Sequence, residues 1–305
     1  MKSKLIGLFI ALLSSLDAHA ATQVSYRTQD VDGIKIFYRE AGDPANPTVL
    51  LLHGFPSSSH MYRDLIPALM GKFHVVAPDY PGSGYSEVPE GAAFTPTFDG
   101  LADVMTRFVQ KKGLTKFALY VQDFGGPVGY RMAANHPDWI SALIIQNANA
   151  YKEGLSSQVA SDIKRLSVGI NPDTERAMAQ VLSPQGVQFM YKTGARNPEQ
   201  LSPDAWTHDQ DGLQNDLNRK IQMNLLVDYH SNLEQYAAWH AYFRKSQPRT
   251  LIVWGKNDPL FIEAGAHAYL QDLKNAELHL LNSGHFALEE DSAEIAGRVT
   301  KFLVD

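Results

Sequence analysis

The sequence predicts an α/β fold: a mostly parallel central sheet, helices on both of its faces, and a helical insertion late in the chain. Three observations carry this. Short apolar runs alternate with helix-compatible segments at the spacing of βα units. Several runs, Thr48 to Leu52 above all, are continuously apolar, as strands buried on both faces require. The alternation stops at 147, resumes at Thr250, and leaves between them a stretch with few strand-like runs. One domain of residues 21–146 and 248–305, interrupted by a helical insertion over 147–247, explains that break better than two domains in series. The 305 residues are ample for such a core.

In order, Gln23 to Thr28 and Ile34 to Glu40 read as strands joined by the turn Asp30-Val31-Asp32-Gly33. The buried strand Thr48 to Leu52 ends in His53-Gly54-Phe55-Pro56. A helix over Tyr62 to Met70 and a strand over His74 to Ala77 follow, then the loop Asp79 to Ser86. That loop is Gly-rich but lacks the Lys-Ser/Thr of a phosphate cradle and the spacing of a dinucleotide fingerprint, so it reads as a structural turn. Phe98 to Lys112 is an amphipathic helix with Leu101, Val104, Met105 and Phe108 on one face. The apolar run from Phe117 stops at Gln122, and Ala142 to Gln146 is the next strand. Helices are expected over Ser156 to Leu166, Asp173 to Val181, Arg219 to Asp228 and Leu233 to Arg244. The rhythm closes with strand Thr250 to Trp254, helix Ile262 to Leu273, strand Glu277 to Leu281 and helix Ser292 to Val304.

Composition excludes several classes. With 44% hydrophobic and 20% charged residues the chain is neither disordered nor fibrous, and a net charge of −6 argues against a nucleic-acid partner. No cysteine is present, which removes disulfides, thiol nucleophiles and thiolate metal sites. The eleven histidines show no zinc-protease spacing, and His230, His240 and His267 have no evident third ligand, so no metal and no cofactor is expected. The start has a basic end (Lys2, Lys4), an apolar run from Leu5 to Leu13 and the small-x-small site Ala18-His19-Ala20. This predicts a secretory leader over residues 1–20, removed on export to the periplasm or medium. The run is too short to span a bilayer, so no membrane anchor is expected after cleavage.

The chemistry gathers at the strand ends, since ligands of open α/β sheets bind beyond the carboxyl ends of the strands. There the sequence places His53 to Ser59, Asp79, Asp123-Phe124, Asn257-Asp258 and Gly284-His285-Phe286. Val121-Gln122-Asp123-Phe124-Gly125-Gly126 has the outline of a strand turning sharply into a helix, with Asp123 at the apex. An apical carboxylate needs no base to act as a nucleophile on a saturated carbon, although Asp is also a common helix N-cap.

Taken together, His53-Gly54-Phe55-Pro56, the Asp79 to Ser86 turn, the Asp123 elbow, Trp254-Gly255-Lys256-Asn257-Asp258-Pro259 and Ser283-Gly284-His285-Phe286 resemble an α/β-hydrolase of the epoxide hydrolase and haloalkane dehalogenase branch. The likeness covers nearly all of residues 25–305 and is weakest over 147–247. It implies the α/β-hydrolase fold, with Asp123 as nucleophile, His285 as the base, Asp258 orienting His285, and the backbone N–H groups of Phe55 and Phe124 as oxyanion hole. His53 is implied to be structural.

The resemblance also bears on the leaving group. Haloalkane dehalogenases characteristically place Trp after the nucleophile to hold the halide, where this chain has Phe124; one subgroup has Asn where this chain has Phe55. Epoxide hydrolases use insertion tyrosines to protonate the opening ring. Tyr229 resembles one of them, but the stretch from Arg165 to Pro172 has no tyrosine for the other. Tyr191 and Tyr151 are the candidate substitutes, and with Phe286 they complete the expected substrate-binding set. The reading that follows is an epoxide hydrolase acting with water on a small apolar organic substrate. Haloalkane dehalogenase is the alternative, with carboxylic-ester hydrolysis or non-catalytic binding behind it.

Overall fold

The computed structural model describes residues 23–305, so the expected leader falls outside the described residues. Among them eight strands form one sheet: β1 (Ser25–Val31), β2 (Ile34–Ala41), β3 (Thr48–Leu52), β4 (His74–Pro78), β5 (Phe117–Gln122), β6 (Ile140–Gln146), β7 (Thr250–Gly255) and β8 (Glu277–Leu281). Their order is β1-β2-β4-β3-β5-β6-β7-β8. β1, β2 and β4 pair antiparallel, and β3 to β8 are mutually parallel. Asp32 and Gly33 make the first hairpin turn, both with positive φ (54° and 90°), a conformation that glycine and, less readily, aspartate tolerate.

Consecutive residues Val49, Leu50, Leu51 and Leu52 are all fully buried, so both faces of the sheet are covered. Burial of each such side chain contributes roughly 1.5–3 kcal/mol. The covering helices of the core are α1 (Leu65–Leu69), α2 (Phe98–Lys111), α3 (Gly125–Asn135), and, after the insertion, α10 (Glu263–Ala268) and α11 (Leu288–Val304). Two expected helices differ. The segment before α1 is a 3-10 turn over Ser59–Tyr62, and α11 starts at Leu288 rather than Ser292 because a non-helical Asp291 (φ −124°, ψ 23°) only kinks it.

The insertion between β6 and β7 holds α4 (Ser157–Leu166), α5 (Pro172–Val181), α6 (Pro184–Lys192), α7 (Pro203–Leu213), α8 (Asp216–Asp228) and α9 (His230–Ser246). Two of these, α6 and α7, are not among the helices expected from the sequence. The structure corrects this: Ser183 and Ser202 are N-caps, accepting from the N–H groups of Gly186 and Asp204, and each proline occupies the first turn, where its missing N–H costs nothing. No described helix is long and apolar enough to cross a membrane.

Candidate active site

Asp123 follows β5 and precedes α3 with φ +48°, a left-handed conformation uncommon for a side chain larger than glycine's. Its N–H donates to the Asn147 carbonyl at 3.2 Å, and its own carbonyl accepts from Gly126 N–H at 2.9 Å, which closes the elbow. The turn is tight enough to fix its neighbours. A Cβ on Gly125 would lie 2.1 Å from the Leu52 carbonyl oxygen, and one on Gly54 would lie 2.3 Å from the Asp123 Cβ. Glycine is therefore required at both positions for the β3 and β5 ends to approach.

The Asp123 carboxylate is buried, 5% exposed. Its Oδ1 accepts from the Phe55 N–H at 2.6 Å. Its Oδ2 stands 3.7 Å from Nε2 of His285. Behind the imidazole, Nδ1–H donates to Asp258 Oδ2 at 2.8 Å; a carboxylate only accepts, so the hydrogen sits on Nδ1. Asp258 also accepts from Asn147 Nδ2 (2.8 Å) and from the N–H groups of Leu260 (2.8 Å) and Phe261 (3.1 Å). Phe261 and Phe286 flank the imidazole edge-on, with centroids at 5.7 and 5.1 Å. The structure thus brings together Asp123, His285, Asp258, Phe55 and Phe124 from four separated stretches of chain.

Burial pushes the Asp123 carboxyl from 3.8 up to about 6, against the opposing effects of His285 and the Phe55 and Phe124 amides. Burial alone would depress His285, but the Asp258 carboxylate outweighs it, helped by Asp123, and raises the imidazole above its ordinary 6.5. A buried carboxylate held ionised beside an imidazole that readily gains a proton suits attack followed by general-base chemistry.

Two buried neighbours were not singled out in the sequence. Asn147 directly follows β6, and its amide spans Gly255 N–H (2.9 Å) and Asp258, tying β7 to the acid. As the residue after an apolar strand it obeys the same strand-end rule as the others. Gln122 Nε2 lies 3.2 Å from His285 Nε2, and nothing in its sequence position announced that contact. His53 is structural, as implied: Nε2 accepts from Tyr80 N–H at 3.1 Å, and burial lowers its pKa. Asp79 likewise caps its loop, accepting from Ser59 and Tyr85 N–H groups at 2.7 and 2.9 Å. Among the described residues no three His, Asp or Glu side chains converge as a metal-ligand cluster.

A chamber of about 140 Å³ opens on Asp123, walled by Phe55, Phe124, Ile163, Leu226, Tyr229 and Phe261 among others. Tyr229 lies beside Phe98 and Phe124 (5.6 and 5.9 Å between centroids), and its hydroxyl has no hydrogen-bond partner among the described residues. Burial, with the nearby Tyr236 and Asp123, holds its pKa well above 10. The other expected substrate-binding residues, Tyr151, Tyr191 and Phe286, are not among the residues that wall this chamber. Tyr151 donates to Asp272 Oδ2 at 2.8 Å, and Tyr191 donates to Asp209 Oδ2 at 2.5 Å while stacking on Phe286 at 3.9 Å. Each phenol is already committed to a carboxylate, so neither is free for a ligand in this chamber.

Comparison with known proteins agrees with this architecture. Residues 47–292 match the family described as alpha/beta hydrolase fold. An uncharacterised hydrolase of Saccharomyces cerevisiae is 38% identical over 283 residues, covering 92% of this chain and 97% of that protein. A haloalkane dehalogenase of Mycobacterium marinum is 26% identical, covering 92% of both. Among solved structures, the epoxide hydrolase CorEH superposes with a TM-score of 0.76 at 22% identity, over 92% of this chain and 99% of that one.

Proposed function

The chain belongs to the α/β hydrolase family, and from that premise we propose that it hydrolyses epoxides to diols through an alkyl ester on Asp123. The observation that carries the choice of substrate is the chamber itself: among the described residues Tyr229 is its one side-chain hydroxyl, and no Trp, Asn or other side-chain N–H lines it to hold a halide.

In the first half-reaction Asp123 Oδ2 attacks an epoxide carbon, the carbon–oxygen bond of the ring breaks, and the departing oxygen takes the Tyr229 proton. A phenol kept neutral by burial is fit for that donation. In the second, His285 Nε2 removes a proton from water, which adds to the Asp123 Cγ. Oδ1 carries the negative charge against the Phe55 and Phe124 N–H groups. Collapse breaks the bond to the alkyl oxygen, which takes the proton held on His285, and the proton left on the Asp123 carboxyl returns to the Tyr229 phenolate. The diol leaves, and carboxylate, imidazole and phenol are all restored. Asp258 holds the imidazole with Nε2 toward Asp123 and stabilises the imidazolium.

Tyr229→Phe should slow single-turnover ring opening by ~10²-fold, the lower end for loss of a general acid, and leave hydrolysis of a preformed ester unchanged. Ring opening at the parent's rate would remove Tyr229 from the mechanism. Similarity to a dehalogenase over 92% of the chain supports haloalkane dehalogenation as the second reading. Parallel screens for diol from epoxides and halide from haloalkanes decide between them.

A further inference from the structure

We infer that the substrate carries an elongated apolar chain, with its reacting end in the chamber at Asp123 and its tail in a groove along the insertion. The inference rests on the epoxide-hydrolysis reading and specifies the substrate class within it.

The chamber is small. At about 140 Å³ it has the size of a cavity that holds one benzene-sized group, below the 300–1,000 Å³ usual for a ligand site. A second space of about 600 Å³ adjoins it between α4, α5 and α6. The two share the wall residues Val159, Asp162, Leu166, Val181, Met190 and Leu260, so they are adjacent across that wall. Five of those six are apolar. Met190 is 5% exposed, and its unbranched thioether can turn aside where the spaces meet. Beyond the shared wall the groove runs over Ala177 of α5 and Phe189 of α6, and past the polar Gln158, Arg165, Gln180 and Gln185. Phe189 is 52% exposed and offers an apolar ring to a ligand lying in the groove. The tail of the molecule whose other end reacts would lie there, because this groove shares six wall residues with the chamber.

The test measures kcat/KM for unbranched 1,2-epoxides of four to twelve carbons, with the parent and with Ala177→Trp, whose indole would fill the groove. Calorimetry of dodecan-1-ol and butan-1-ol binding reads the groove without any chemistry. A methylene fully removed from water gains about fourfold, so in a half-open groove kcat/KM should rise by about twofold per carbon beyond six. The ratio of the twelve-carbon to the six-carbon value should be about 60 in the parent and fall below ~10 in Ala177→Trp. Dodecan-1-ol should bind the parent ~10-fold or more tighter than the variant does. A flat length series, or dodecan-1-ol binding the parent no tighter than butan-1-ol, overturns the inference. If no epoxide of any length reacts while dodecan-1-ol still binds tightly, the epoxide reading fails and the groove stands as a site for an apolar chain.

Discussion

The His285→Gln protein should stop half-way through the reaction and carry its substrate as an ester. Nothing in the first half-reaction requires the imidazole, because the attacking group is already a carboxylate and the proton comes from Tyr229. The second half requires a base placed against the ester carbonyl, and among the described residues His285 Nε2, 3.7 Å from Asp123 Oδ2, is the basic side chain so placed. Glutamine keeps the volume and loses the basicity. Steady-state turnover should fall by about 10⁴–10⁶, the range for removing a member of a unit that acts together. Intact mass spectrometry after adding a turned-over epoxide should show protein plus substrate, with the label on the peptide containing Asp123. An unshifted mass would refute the ester mechanism.

The Asp123→Asn protein should lose turnover by a similar factor and yet be the more stable protein at neutral pH. The sign follows from the folded pKa. The carboxyl titrates near 3.8 when the chain is unfolded and at about 6 when folded, so below pH 3.8 it is protonated in both states and imposes no cost. Between the two values the unfolded chain gives up its proton more readily, and folded stability declines as pH rises, by roughly 3 kcal/mol in full. Above pH 6 the cost is constant. Replacing the carboxylate removes it, less whatever His285 loses with its partner, so a gain of about 1–3 kcal/mol is expected at pH 7.5 and almost none at pH 3.5. Urea midpoints at both values read this directly, and equal midpoints at pH 7.5 would show that the buried charge carries no cost. The same titration sets the parent's kinetics: ring opening in single turnover should fall tenfold per pH unit below about 6, where an ordinary aspartate would hold out to pH 4.

Much of the insertion was hard to read because its signals are local and ambiguous. Ser183-Pro184 and Ser202-Pro203 look alike as loop breakers and as helix starts, and only the chain that follows decides which. Tyr151, Tyr191 and Tyr229 are equivalent in sequence, each a tyrosine in the insertion outside the expected helices. Packing separates them: Asp272 takes the first hydroxyl, Asp209 takes the second, and Tyr229 alone is left facing the chamber.

The sequence by itself determined the core strands, their mostly parallel sheet, the elbow at Asp123 and the strand-end positions of Asp258 and His285. Those features follow from short-range rules: apolar runs need burial on both faces, and a sharp turn needs glycines beside it. Tertiary structure alone decided what depends on distance between separated segments. It placed Asn147 between Gly255 and Asp258, set Gln122 against His285, and raised Asp123 to about 6 by closing the insertion over it. Burial and hydrogen-bond partners are properties of the folded neighbourhood, and no local pattern of residues encodes them.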